Sequence, residues 1–124
     1  MTDSHIVPLD KFDLAAVERA GNLENSQLIP HYAALLEWVQ DANWPVAGPV
    51  AQLLAHSGPE IVPHISAVLR TDDDFWQQWI LDLIVRDLNT DIRMMLKPDL
   101  DRLVYDGVTP DVRELAQEML SSHL

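Results

Sequence analysis

Ile29-Pro30-His31-Tyr32-Ala33-Ala34-Leu35-Leu36 returns 33 residues later as Val62-Pro63-His64-Ile65-Ser66-Ala67-Val68-Leu69. Four of the eight positions are identical, and Ile/Val, Leu/Val and Ala/Ser are near matches. A period of this length marks a supersecondary unit that cannot bury its apolar face alone and stacks on copies of itself. A weaker third copy opens at Pro98, with Leu103-Val104 lying over Val68-Leu69 at an offset of 35. The segments that follow each copy also echo one another. Ala47, Val50, Ala51 and Leu54 match Val112, Leu115, Ala116 and Met119 at an offset of 65. In the middle copy, Leu81, Ile84 and Val85 stand 31 residues from Val50, Leu53 and Leu54. The expectation is an all-α chain of about three antiparallel helix pairs, each a first helix, a short acidic turn and a second helix.

Outward from the repeat, the apolar spacing is helical and strand-like alternation is nearly absent. Asp13 caps a short helix over Leu14 to Ala20, stopped at Gly21, which covers the first pair. Ile29, Tyr32, Leu35, Leu36 and Val39 form one stripe and predict one amphipathic helix. Asn43 is expected to cap a helix opening at Trp44-Pro45 and running through Val46, Val50, Leu53 and Leu54 to Ser57-Gly58-Pro59. Ile61, Ile65, Val68 and Leu69 make the next helix. The run from Phe75 to Leu88 is apolar around much of its circumference, which places it at the centre of the core. Asp91 to Met95 adds a short turn. Pro98 opens a helix ending at Asp106-Gly107, and Thr109-Pro110 opens the last.

The chain has 124 residues, 48% of them hydrophobic and 23% charged, enough for one folded domain over 1–124. Twenty acids against eight Lys+Arg give a net charge of −12, which repels nucleic acid and anionic membranes and favours a cationic partner. Cysteine is absent, so there is no thiol chemistry. Met1 to Leu9 has no apolar core resembling a secretion signal, and no stretch approaches the ~20 apolar residues of a membrane span. These features lead to an expected cytoplasmic location.

Two sets of residues carry resemblances. The first-helix proline, the acidic turn, and Thr109-Pro110-Asp111-Val112-Arg113 with Ala116 and Leu120 resemble a HEAT-type repeat. The ankyrin Thr-Pro-Leu-His signature and the tetratricopeptide Trp/Gly/Tyr pattern are missing. A closer match joins Val7-Pro8-Leu9-Asp10-Lys11-Phe12-Asp13 with the stretch from Leu35 to Ala47, containing Leu36-Glu37-Trp38-Val39-Gln40-Asp41 and Asn43-Trp44-Pro45. Val62-Pro63-His64 and Asp72-Asp73-Asp74-Phe75-Trp76-Gln77-Gln78-Trp79-Ile80-Leu81 extend it. Over about Val7 to Leu88 the chain resembles a small bacterial domain-of-unknown-function family numbered 5071. The resemblance implies an all-helical, HEAT-like fold and brings no activity or catalytic residues.

Motifs for chemistry are few. His5, His31, His56, His64 and His123 show no metal-binding spacing, and His31 and His64 read as first-turn residues beside helix-opening prolines. Asp72-Asp73-Asp74 lacks the glycine and glutamate of a calcium loop and reads as helix capping. No serine, Ser4 and Ser122 included, lies in a Gly-x-Ser-x-Gly elbow, and no glycine-rich phosphate loop exists. Glu37 and Asp41, spaced i, i+4, are read as sharing a solvated helix face. Trp76 and Trp79 read as core, and Trp44 as an inter-helix wedge or an exposed anchor. No catalytic residue, cofactor or metal is expected.

What remains is an alignment of acids. Asp41, Asp72, Asp73, Asp74, Asp106 and Asp111 all fall in or beside the turn inside a helix pair. Stacking would line these turns along one edge as an acidic ridge flanked by Trp44 and Phe75. The candidate binding residues are therefore Asp41, Trp44, Asp72, Asp73, Asp74 and Asp106. The expected function is a non-enzymatic protein-binding module, in concrete form an immunity or antitoxin protein masking a basic partner. The alternatives are a regulatory or scaffolding subunit and a small HEAT-like enzyme. DNA glycosylases of that build need a basic groove, which the charge opposes.

Overall fold

The computed structural model describes residues 5–121 and contains no strand among them. The Asp13 carboxylate accepts the Ala16 N–H at 3.3 Å and opens α1 (Leu14–Gly21). The chain continues through α2 (Asn25–Leu28), α3 (Tyr32–Leu36), α4 (Ala47–Ala55) and α5 (Val62–Leu69). It then forms α6 (Asp74–Leu83), α7 (Thr90–Met94), α8 (Lys97–Asp106) and α9 (Pro110–Ser121). First helices lie against first helices, α3 on α5 and α5 on α8. Second helices do the same, α4 on α6 and α6 on α9, and each pair also packs internally. Apolar side chains from Ile6 to Met119 form one buried cluster between the two layers.

Two joints hold the pairs in register. The Trp76 indole Nε1–H donates to the Leu36 carbonyl at 3.0 Å, tying the end of α3 to the start of α6. Between the second and third pairs, the 6% exposed Asp99 accepts Ser66 Oγ–H at 2.7 Å, Arg70 Nε–H at 3.3 Å and an Arg102 Nη2–H at 3.2 Å. Arg102 Nη2 also donates to the Leu69 carbonyl at 3.2 Å. Ser66 faces Asp99, and Leu69 faces Arg102, each across a separation of 33 residues. α5 and α8 are therefore parallel neighbours, set two residues off the sequence echo that begins at Pro98.

Several local expectations are corrected. The Ile29–Val39 stripe is not one helix: 3-10 turns at Ile29–His31 and Glu37–Val39 flank α3. Pro30 has no N–H for the α ladder and its ring opposes the preceding turn, so the helix breaks there. Tyr32, Leu35, Leu36 and Val39 stay buried all the same. Glu37 and Asp41 consequently share no α-helical face. Asn43 caps nothing, because the helix opens at Ala47 rather than at Trp44-Pro45. Asp41 organises this turn instead, its Oδ1 accepting the Asn43 N–H at 2.8 Å and its carbonyl the Trp44 N–H at 3.1 Å. The Val46 N–H is committed to the Lys11 carbonyl at 3.2 Å.

The Phe75–Leu88 run ends as an α-helix at Leu83, followed by a 3-10 turn at Val85–Asp87 whose Arg86 carbonyl accepts from Arg93 Nη1 at 3.1 Å. α6 packs against α4, α5 and α9, as its apolar content requires, but it is not buried all round. Gln77, Ile80 and Leu81 are buried, Trp76 and Trp79 are half-buried, and Phe75 is 62% exposed.

Candidate functional site

The turns inside the pairs (residues 40–46, 70–73 and 107–109) join the C-terminal ends of α3, α5 and α8 to the second helices. With α3, α5 and α8 side by side, these turns fall at one end of the stack. Asp41 is half-buried in the first turn. Asp72 and Asp73 are exposed in the second, and Asp74 is half-buried in the first turn of α6. Asp106, the last residue of α8, is exposed beside Tyr105, an aromatic ring 82% exposed. Asp111 is exposed in the first turn of α9. One of these acids is a cap: Asp73 Oδ1 accepts the Trp76 N–H at 3.0 Å. Trp44 is half-buried, its ring edge-on to Trp38 at 5.5 Å between centroids.

Arginines also approach this edge. Arg70 and Arg102 are turned onto Asp99, and Arg113 Nη1 donates to the Gly107 carbonyl at 2.8 Å. The same holds for every other cation of the chain. Lys11 lies 5.3 Å over the Phe12 ring, Arg19 donates to the His5 carbonyl, and Lys97 is 2.7 Å from Asp101. Arg86 bridges Asp82 and Glu118 at 2.7 Å each, and Arg93 reaches the Arg86 carbonyl. All eight Lys and Arg side chains are engaged within the molecule, whereas twelve acids have no cation of the chain to balance them in the net charge of −12.

Ionisation follows these contacts. Hydrogen bonding from the Leu9 N–H, with lesser help from Ala16, His5 and Arg19, holds the Asp13 carboxyl below its ordinary value. The Arg86 guanidinium does the same to Glu118, and its own pKa is raised by Glu118 and Asp82.

The histidines stand apart. His64 lies in the first turn of α5 with its ring 6.0 Å from Tyr32, His31 precedes α3, and His56 closes α4. His5 Nε2 is 3.5 Å from Asp13. His123, Ser4 and Ser122 lie outside the described residues. Among the described residues, no group of three or more His, Asp or Glu side chains is placed to hold a metal ion, and no helix is long and apolar enough to cross a membrane.

Three features had no reading in the sequence. Asp99 sits in the first turn of a helix, where an acid ordinarily caps in solvent. Gln77 is one of two adjacent glutamines, yet its Nε2 donates to the Leu69 and Thr71 carbonyls and fastens the second turn. The third is a groove of about 360 Å³ between α3 and α5, lined by alanines, Leu36, Val68 and Trp76. Missing side chains leave no motif, so only the echoed alanines could have pointed to it.

A family model described as Domain of unknown function (DUF5071) matches residues 6–122. No curated protein matches the chain.

Proposed function

Because this chain belongs to the DUF5071 family, whose description assigns no activity, we propose a function from its surface: a non-enzymatic module that binds a cationic protein partner. The observation that carries this reading is the internal engagement of all eight cations beside solvent-facing carboxylates at the turn edge. The carboxylates outnumber the cations by twelve, so the net field steers a basic partner toward this surface and turns polyanions away. In its fullest form, the chain is a short HEAT-like solenoid of the bacterial cytoplasm that masks a basic protein, as an immunity or antitoxin protein does.

The test is kinetic. With a partner in hand, Asp41, Asp72, Asp73, Asp74 and Asp106 are changed together to Asn, which still caps helices. The association rate is expected to fall by about one to two decades and to lose most of its salt dependence. Wild-type rates and salt dependence in that variant would overturn the proposal.

A further inference from the structure

The groove between α3 and α5 has a direction. His64 stands at one end, beside the start of α5, while Glu37, Thr71 and Trp76 close the other. Ala33, Ala34 and Ala67 keep its walls low, and Leu36 and Val68 add apolar surface. Its Trp76 end is continuous with the second acidic turn. Thr71 Oγ1 accepts the Asp73 N–H at 3.3 Å, and Asp73 in turn caps α6 through the Trp76 N–H. Glu37 therefore lines an apolar slot that ends at Thr71, directly before the Asp72-Asp73-Asp74 turn.

We propose that this groove seats an apolar side chain, leucine-like in size, from a basic segment of the partner, whose flanking Lys or Arg side chains reach Glu37, Asp72 and Asp74. The assignment rests on the reading that the partner is cationic. Charge complementarity selects the occupant. A second copy of this chain would bring another charge of −12 to the same groove. A small molecule needs walls that enclose most of its surface, and here Ala33, Glu37, Ala67 and Thr71 are all exposed. A peptide side chain needs one open slot, with its backbone left outside.

The test uses ¹⁵N-labelled protein and the Trp76 indole N–H resonance, identified through Trp76→Phe. Three short synthetic peptides are titrated: leucine between lysine pairs, alanine between lysine pairs, and leucine between glutamate pairs. The lysine–leucine peptide is expected to shift the Trp76 signal and to bind about tenfold more tightly than its alanine counterpart, the difference coming from the buried methyl groups. Ala67→Leu fills the groove from an exposed position, and circular dichroism checks that the variant stays helical. It is expected to reduce the leucine peptide to the alanine peptide's affinity. Glu37→Gln with Asp72→Asn is expected to weaken both basic peptides alike.

Equal binding of the leucine and alanine peptides, or indifference to Ala67→Leu, would overturn the groove and leave the acidic-surface reading standing. Equal binding of the glutamate peptide would overturn the basic character of the occupant. So would the absence of any shift at about 1 mM, a concentration that registers even millimolar affinity.

Discussion

Gly107 shows how a single atom can be decisive. Its N–H donates to the Leu103 carbonyl at 2.9 Å and ends α8, and its own carbonyl receives Arg113. A Cβ there would stand 2.7 Å from the Leu103 carbonyl oxygen and 2.8 Å from Arg113 Cγ. The first of these is backbone and cannot step aside, so Gly107→Ala is expected to cost about 1–3 kcal/mol in urea denaturation. At Gly58 the obstacle is the Glu60 carboxylate at 2.8 Å, the far end of a flexible side chain. Gly58→Ala is expected to leave the midpoint nearly unchanged. Asp13 gives a prediction in pH. Its native pKa is depressed below the ordinary 3.8, so it stabilises the fold above that value. That contribution is lost as pH falls through the lower native value. Asp13→Asn is expected to flatten the acid limb of the stability profile below about pH 4, as followed by denaturation midpoints. A limb as steep as the wild type's would exclude Asp13 as its source.

Among the elements, the joint between α5 and α8 is the one the chain depends on most visibly. Asp99→Ala would take the acceptor from Ser66 and Arg70 and leave Arg102 only the Leu69 carbonyl, although Arg70 remains largely solvated and moderates the loss. A destabilisation of about 1–3 kcal/mol is expected, with Asp99→Asn intermediate because its amide oxygen still accepts Ser66. Trp76→Phe keeps the half-buried ring contacts and removes the bond to Leu36, for an expected loss of about 1 kcal/mol. The order of the longer helices, the Asp13 cap and a cap from within Asp72-Asp73-Asp74 were legible in the sequence, because apolar periodicity and capping act within a few residues; α2 (Asn25–Leu28) was not. What escaped it was decided elsewhere. The α-helical ladder over Ile29–Val39 yields to Pro30, and the Trp44-Pro45 helix start yields to Lys11, whose carbonyl holds Val46. Asp99 had no reading because two of its three partners, Ser66 and Arg70, lie 33 and 29 residues back in the chain. Of the candidate site, the turn acids were legible as a pattern along the chain. The groove beside them was not, since it consists of side chains that are small.

For the molecule as a whole, the unbalanced carboxylates repel one another at neutral pH. Screening should relieve this, and the thermal midpoint is expected to rise as salt increases from about 0.01 M to 0.5 M, while the Debye length falls from about 30 Å to below 5 Å. A midpoint that stayed flat or fell would mean that the ion pairs at Arg86, Lys97 and Asp99 contribute more than the excess charge costs. The engaged cations also bear on covalent reactivity. The chain holds only two lysines, Lys11 and Lys97, against twenty carboxylic side chains. Amine-directed reagents will therefore find little to react with. Carbodiimide activation will find abundant carboxyls and few internal amines to consume them. Mixed with a lysine-rich partner, this chain should form amide bonds chiefly across the interface, and the carboxyls so captured would map the docking surface residue by residue.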